Sequence, residues 1–168
     1  MIKINIICVG KIKERYLLDA INEYLKRLSK YAKVNIIELE DEKVQNHTAS
    51  DIQNIESRKI LTKIKDDDYL IILDLKGDEY DSVKLASYFQ SLEDKGIGNI
   101  FIAIGGSLGF NDEIRKRANK SICFSKLTFP HQLIRVFLLE QLYRCYKINR
   151  NEKYVSKFES MNVWFEFI

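Results

Sequence analysis

Strand-like and helix-like segments alternate along the whole sequence, and this order constrains the fold more than any single motif. Short apolar runs rich in β-branched residues are separated by longer stretches whose apolar residues recur at helical spacing. The predicted strands are 3–9, 34–39, 69–75, 99–104 and 121–124. The predicted helices are 14–30, 48–65, 81–93, 111–118 and 130–149. Strands joined by helices predict an α/β fold with a parallel sheet covered on both faces.

Length and composition predict one globular domain. The chain has 168 residues, of which 46% are apolar and 30% charged, and this balance favours a folded soluble protein over a disordered one. We expect no transmembrane helix, because no apolar run approaches the length of a bilayer span, and no signal peptide at the start. The three cysteines are widely spaced, which favours a reducing, cytoplasmic environment over a disulfide or zinc site.

The last predicted helix is apolar around most of its circumference, which is unusual for a chain of this size. Such a helix must be buried on nearly all sides, and a second subunit is the simplest cover, so we expect a homodimer. Its apolar residues are Leu133, Ile134, Val136, Phe137, Leu138, Leu139, Leu142, Tyr143 and Tyr146.

Basic residues concentrate in the C-terminal third. Residues 111–157 contain 11 Lys and Arg against 4 Asp and Glu, although the net charge of the whole chain is only +3. Such a local excess favours binding to a phosphate backbone. We expect Arg135, Arg144, Lys147 and Arg150 to contact RNA phosphates; an ordinary solvated helix face with surface ion pairs is the alternative.

Two neighbouring loops carry most of the residues that suit a ligand rather than a core. Gly105, Gly106 and Gly109 follow the fourth strand, and Pro130, the only proline, stands before His131. The glycines lack the spacing of the P-loop and of the dinucleotide fingerprint. We expect the strand ends 73–74, 104–106 and 124–129 to meet in one crevice that suits an adenine-and-ribose ligand. A plain tight turn, and a capping or packing role for His131, remain alternatives.

Several of these segments together resemble one known family. They are Val9-Gly10-Lys11, Ile104-Gly105-Gly106-Ser107, the stretch SKLTFPH at 125–131 and the stretch EQLYR at 140–144. In this order they are similar to the SPOUT methyltransferases that methylate a pseudouridine of large-subunit ribosomal RNA (the RlmH type). The resemblance extends over roughly residues 1–154.

The resemblance implies a homodimer, a C-terminal trefoil knot and S-adenosylmethionine as cofactor. No metal is implied. Carried over by position, the cofactor-binding residues would be Leu73, Gly105, Phe124, Ser125, Lys126, Leu127, Thr128 and Phe129.

The implied reaction is methyl transfer to N3 of a pseudouridine in the helix 69 loop of 23S rRNA, within assembled ribosomes. His131, Arg144 and Tyr154 are the candidate catalytic residues; water is an alternative acceptor for the N3 proton. Two other functions remain open: a SPOUT methyltransferase acting on another RNA, and a catalytically weak RNA-binding dimer.

The C-terminus departs from the family pattern. Family members usually end soon after a Tyr-His pair and a basic residue, whereas this chain has Tyr154-Val155-Ser156-Lys157 and eleven further residues. We therefore expect a single SPOUT domain over 1–157 and an atypical apolar extension over 158–168. The apolar residues of that extension are Phe158, Met161, Val163, Trp164, Phe165, Phe167 and Ile168.

Overall fold

Every predicted strand and helix is present in the structure, a computed structural model that describes residues 1–43, 45 and 47–153. The strands are β1 (Ile2–Val9), β2 (Ala32–Leu39), β3 (Tyr69–Glu79), β4 (Asn99–Ile104) and β5 (Lys120–Cys123). The helices are α1 (Arg15–Leu28), α2 (Ala49–Leu61), α3 (Ser82–Asp94), α4 (Asp112–Arg117) and α5 (His131–Asn149).

The five strands form one sheet in the order β2-β1-β4-β3-β5. All four neighbouring pairs are parallel. The predicted α/β class with a parallel sheet is therefore confirmed. The trefoil knot stays a prediction from the resemblance.

Helices cover both faces of the sheet, and each face has its own apolar core. On one face, Ile4, Ile6 and Cys8 of β1 pack with buried residues of α1, α3 and α5. On the other face, Ile7 and Val9 belong to a smaller core with residues of α2 and α4. This division follows from the alternation of side chains along a strand.

Strand β3 continues beyond residues 76–77, where the sequence predicted its end. Leu73 and Asp78 both pair with Ile122 of β5, so the ladder contains a register shift. Gly77 permits this close approach, because a Cβ atom there would lie 2.6 Å from the backbone N of Ile122. A glycine in a strand typically marks such a bulge.

Helix α2 ends four residues before the predicted position. A carboxylate oxygen of Asp68 accepts a hydrogen bond from the backbone N–H of Lys65 at 2.8 Å. Before this bond, the N–H groups of Lys63 and Ile64 already donate to carbonyls three residues back, those of Ile60 and Leu61. The α-helix therefore ends at Leu61 in a tighter turn.

Helix α5 packs against the sheet and against α1 and α3, and Phe137 is its one exposed residue among those that the structure describes. Leu138, Leu139 and Leu142 are buried, whereas Phe137 is exposed and meets Phe129 edge to face, with 5.3 Å between ring centroids. An exposed aromatic pair therefore lies beside the first turns of α5.

No helix among the described residues is long and apolar enough to cross a membrane. Within the same residues, no group of His, Cys, Asp and Glu side chains is placed to hold a metal ion. The three cysteines are free and buried.

Candidate functional site

A cavity of about 490 Å³ opens at the carboxyl edge of the sheet. Three segments line the cavity: the bulged part of β3, the glycine turn after β4 (residues 105–109), and the loop between β5 and α5. The structure thus brings together the three strand ends that the sequence predicted to meet. Its lining includes Leu73, Asp74, Gly105, Gly106, Phe110, Arg115, Phe124, Ser125, Leu127, Thr128, Phe129 and His131.

All but one of the predicted cofactor-binding residues line this cavity. The exception is Lys126, which is absent from the lining. Its side chain is exposed and its Nζ lies 3.8 Å from Oε1 of Glu79. The structure therefore leaves only the neighbours of Lys126 in position to contact a ligand in the cavity.

The loop between β5 and α5 is shaped by its own hydrogen bonds. Ser125 Oγ accepts from the backbone N–H of Leu127 at 3.0 Å, and the Cys123 thiol donates to the carbonyl of Ser125 at 3.1 Å. Leu127 lies at the cavity wall and is 70% exposed. An apolar side chain so placed is suited to contact a ligand or a second protein surface.

The glycine turn passes close to α2 at Gly106, which has no side chain. A Cβ atom at Gly106 would lie 2.7 Å from Oε1 of Glu56, a buried residue of α2. Burial is the main cause that raises the pKa of the Glu56 carboxyl, and the nearby Asp41 carboxylate adds to it. The backbone of the turn is therefore held between the cavity and α2.

An ion pair that sequence reasoning missed closes the cavity beside β3. Arg115 of α4 donates from Nε to Oδ2 of Asp74 at 2.6 Å, and from Nη2 to Oδ1 at 3.4 Å. Both residues line the cavity. The only signal in the sequence is that α4 directly follows the glycine turn, which places its basic last turn near the strand ends.

His131 stands at the first turn of α5, on the cavity lining. Burial lowers the pKa of its imidazole, the positive charge of Arg135 lowers it further, and Asp41 opposes the shift. Its Nε2 lies 3.3 Å from where a Cβ atom of Gly10 would be. The imidazole is therefore neutral at neutral pH and able to accept a proton.

The prediction that Arg135 contacts RNA phosphates is wrong, because Arg135 is buried. Its side chain is only 1% exposed. It donates to Glu38 Oε2 at 2.8 Å and to the carbonyls of Val9 and Gly10 at 3.2 and 2.7 Å. The two carbonyls are buried and the Glu38 side chain is partly exposed. Arg135 itself is buried, so it joins α5 to the ends of β1 and β2 and has no surface to offer a phosphate.

The remaining predicted basic residues lie further along α5 and at its end. Arg144 is buried and donates from Nε to Glu140 at 3.0 Å. Lys147 pairs with Glu152, and Arg150 is exposed, with its guanidinium 4.6 Å from the Tyr31 ring centroid.

Arg144 is distant from His131 within one chain, since 13 residues of α-helix span about 20 Å. The structure therefore does not bring these two candidate catalytic residues to one point. Tyr154, the third candidate, and the extension 158–168 lie outside the described residues.

The chain belongs to the SPOUT methyltransferase family. Residues 2–154 match a family described as "Predicted SPOUT methyltransferase". This match covers nearly the whole described structure, including the cavity and α5.

Individual relatives carry a more specific name and confirm the resemblance noted from the motifs. The chain is 50% identical over 155 residues to the ribosomal RNA large subunit methyltransferase H of Clostridium acetobutylicum, covering 90% of this chain and 98% of the relative. It is 52% identical, with the same coverage, to the protein of that name from Clostridium novyi.

Proposed function

We propose that this protein uses S-adenosylmethionine to methylate N3 of a pseudouridine in the helix 69 loop of 23S rRNA. The observation that carries the proposal is the cavity formed by three strand ends in a chain of the SPOUT methyltransferase family. The name of its relatives, ribosomal RNA large subunit methyltransferase H, supports ribosomal RNA as the substrate class.

The cavity fits an adenosine-containing cofactor in size and chemistry. Its volume of about 490 Å³ lies within the range typical of small-ligand sites. Leu73, Leu127 and Phe129 provide apolar walls for a base, and Gly105 presents backbone without a side chain. We propose these residues with Phe124, Ser125 and Thr128 as the cofactor-binding set, while Lys126 contributes through its backbone at most.

When bound, S-adenosylmethionine supplies a sulfonium methyl group that is open to in-line displacement. The protein's task is to align the acceptor nitrogen with that methyl and to take up the N3 proton. His131 is the candidate proton acceptor, because it lines the cavity and its lowered pKa keeps it neutral. Water is the alternative acceptor.

A homodimer would explain two features that a single chain leaves unexplained. Phe137, Phe129 and Leu127 expose an apolar surface beside the cavity. Arg144 lies about 20 Å along α5 from His131, so a catalytic role at the same methyl acceptor would require Arg144 from a second copy. We therefore propose a homodimer with the trefoil knot of the family.

Substrate RNA would approach from the basic end of the molecule. Arg150 is exposed, and with Lys147 it could hold phosphates, which position an RNA without reading its sequence. An unpaired loop base presents its Watson–Crick edge to a protein. Assembled ribosomes in the cytoplasm would be the site of action.

The level of methyltransferase activity depends on the C-terminal residues, where this chain departs from the family pattern. We propose that the SPOUT domain spans 1–157, that Tyr154 contacts the substrate base, and that 158–168 is an added extension. Because the chain has Val155 where the family usually has histidine, a weakly active RNA-binding dimer is the second candidate function. A SPOUT enzyme acting on another RNA is the third.

Calorimetry and methyl transfer test the proposal together. Titration with S-adenosylmethionine and with its demethylated product should show one site per chain. Incubation with labelled cofactor and ribosomes lacking the modification should then label 23S rRNA. Cofactor binding without any transfer would favour the weakly active dimer, and absence of both would overturn the enzyme proposal.

A further inference from the structure

Helix α2 contacts the glycine turn from the side away from the cavity. Gln53 Nε2 donates to the carbonyl of Leu108 at 2.9 Å, and Asn54 Oδ1 accepts from Asn111 Nδ2 at 3.0 Å. Ser57 Oγ accepts from the backbone N–H of Asn111 at 3.1 Å. These bonds attach two points of one short turn to one helix.

The contacting residues share one face of α2. Positions 53 and 57 are four apart, and the pairs 53/56 and 54/57 are three apart, so these side chains are neighbours on the helix surface. No residue of α2 is part of the cavity lining. This polar face, Gln53-Asn54-Glu56-Ser57, can act on a ligand only through the turn that it holds.

Asn111 connects this face to the opposite wall of the cavity. It is buried, and its Oδ1 accepts from the backbone N–H of Ile114 at 3.0 Å, which caps α4. Helix α4 carries Arg115, which binds Asp74 on the cavity lining. Displacing Asn111 would therefore move the glycine wall and the Arg115–Asp74 wall together.

We propose that the polar face of α2, acting through Asn111, positions the glycine turn for binding of S-adenosylmethionine. This inference rests on the proposed function, because it assumes that the cavity is the cofactor site. Asn54, Ser57 and Asn111 are positioning residues, since none of them faces the ligand directly.

Calorimetry with S-adenosylmethionine on matched variants tests the proposal. Ser57→Ala leaves the buried N–H of Asn111 without its acceptor, and we expect the Kd to rise about 3- to 10-fold. Ser50→Ala is the control, because Ser50 is exposed on the first turn of the same helix, and its Kd should match the parent.

A second pair of variants separates positioning from general loss of stability. Asn54→Ala removes the acceptor for Asn111 Nδ2 and should weaken binding, whereas Asn54→Asp keeps an acceptor oxygen and should restore the parent Kd. Gln53→Ala removes only an exposed bond, so it should fold normally and weaken binding about threefold. If Ser57→Ala does not fold, the Kd of Gln53→Ala is the measurement that tests the proposal.

The outcomes distinguish this inference from the proposed function. A parent protein that binds no S-adenosylmethionine would overturn both. A parent that binds, with Gln53→Ala and all folded variants at positions 54 and 57 showing the parent Kd, would overturn this inference alone. Equal weakening by Asn54→Asp and Asn54→Ala would also overturn it, because the acceptor oxygen would then be irrelevant.

Discussion

Replacing Arg135 by methionine should destabilise the fold strongly, although sequence reasoning placed this residue on an RNA-binding surface. The substitution keeps a side chain of similar length in a buried position and removes the guanidinium. The carbonyls of Val9 and Gly10 then lose this donor, and Glu38 Oε2 keeps only the backbone N–H of Ile12 at 3.2 Å. The carboxylate of Glu38 also loses the charge that balances it.

The expected loss in the free energy of unfolding comes from the acceptors that Arg135 no longer contacts. Leaving a buried carbonyl without its donor costs about 1–3 kcal/mol, and Val9 and Gly10 are both buried. The Glu38 side chain is 36% exposed and is solvated by water, so the two carbonyls dominate and we expect a total loss of about 3 kcal/mol. For a chain of this size that corresponds to a fall in Tm of roughly 6–12 °C.

Thermal unfolding followed by circular dichroism measures this loss. Arg15→Met is the matched control, because the Arg15 side chain is 88% exposed, and its Tm should stay within about 2 °C of the parent. The double variant Arg135→Met, Glu38→Gln should recover part of the loss, because it also removes the unbalanced charge. A Tm for Arg135→Met within 2 °C of the parent would refute the buried structural role. If the same variant also showed a lower salt dependence of RNA binding, Arg135 would instead contact RNA phosphates.

Three further predictions concern the cavity and the core. Gly105→Val should abolish the binding of S-adenosylmethionine measured by calorimetry. Gly105 and Phe110 both line the cavity, and even the Cβ atom of a new side chain would lie 3.3 Å from the Phe110 ring, so the valine would fill space beside the cofactor. An unchanged Kd would place the cofactor elsewhere. His131 should titrate by NMR below the ordinary histidine range, since burial and the Arg135 charge lower its pKa. A clearly raised pKa would contradict a neutral proton acceptor. The thiols of Cys8 and Cys145 should resist a thiol reagent at pH 8 and react after unfolding, because burial raises their pKa to about 12. Rapid labelling of either one in the native protein would argue against the described core; Cys123, which lines the cavity, is left out of the comparison.

The order of elements could be predicted because local patterns determine it. Apolar runs and helical stripes in this sequence coincide with the observed strands and helices, and parallel pairing follows from the helical connections. The continuation of β3 past Gly77 could not be predicted, because it depends on the close approach of Ile122 on another strand.

The cavity was predictable from glycine and proline positions, whereas its support was not. The hydrogen bonds that join α2 to the glycine turn and to Asn111 connect residues more than fifty positions apart. Polar residues on a helix normally face water, so nothing in the sequence indicates these bonds. One local pattern in the sequence does indicate the burial of Arg135. Arg135 shares a helical stripe with Leu138, Leu139 and Leu142, all of them buried, which places its stem toward the core.

Mapping the methylated nucleotide tests the central claim most directly. Ribosomes lacking the modification would be incubated with the protein and labelled S-adenosylmethionine, with free 23S rRNA as comparison, and the labelled fragment identified by mass spectrometry. The proposed function predicts one methyl group on N3 of a pseudouridine in the helix 69 loop, added to ribosomes more than to free RNA. Label found only outside that loop, or no label from a protein that binds the cofactor, would contradict it.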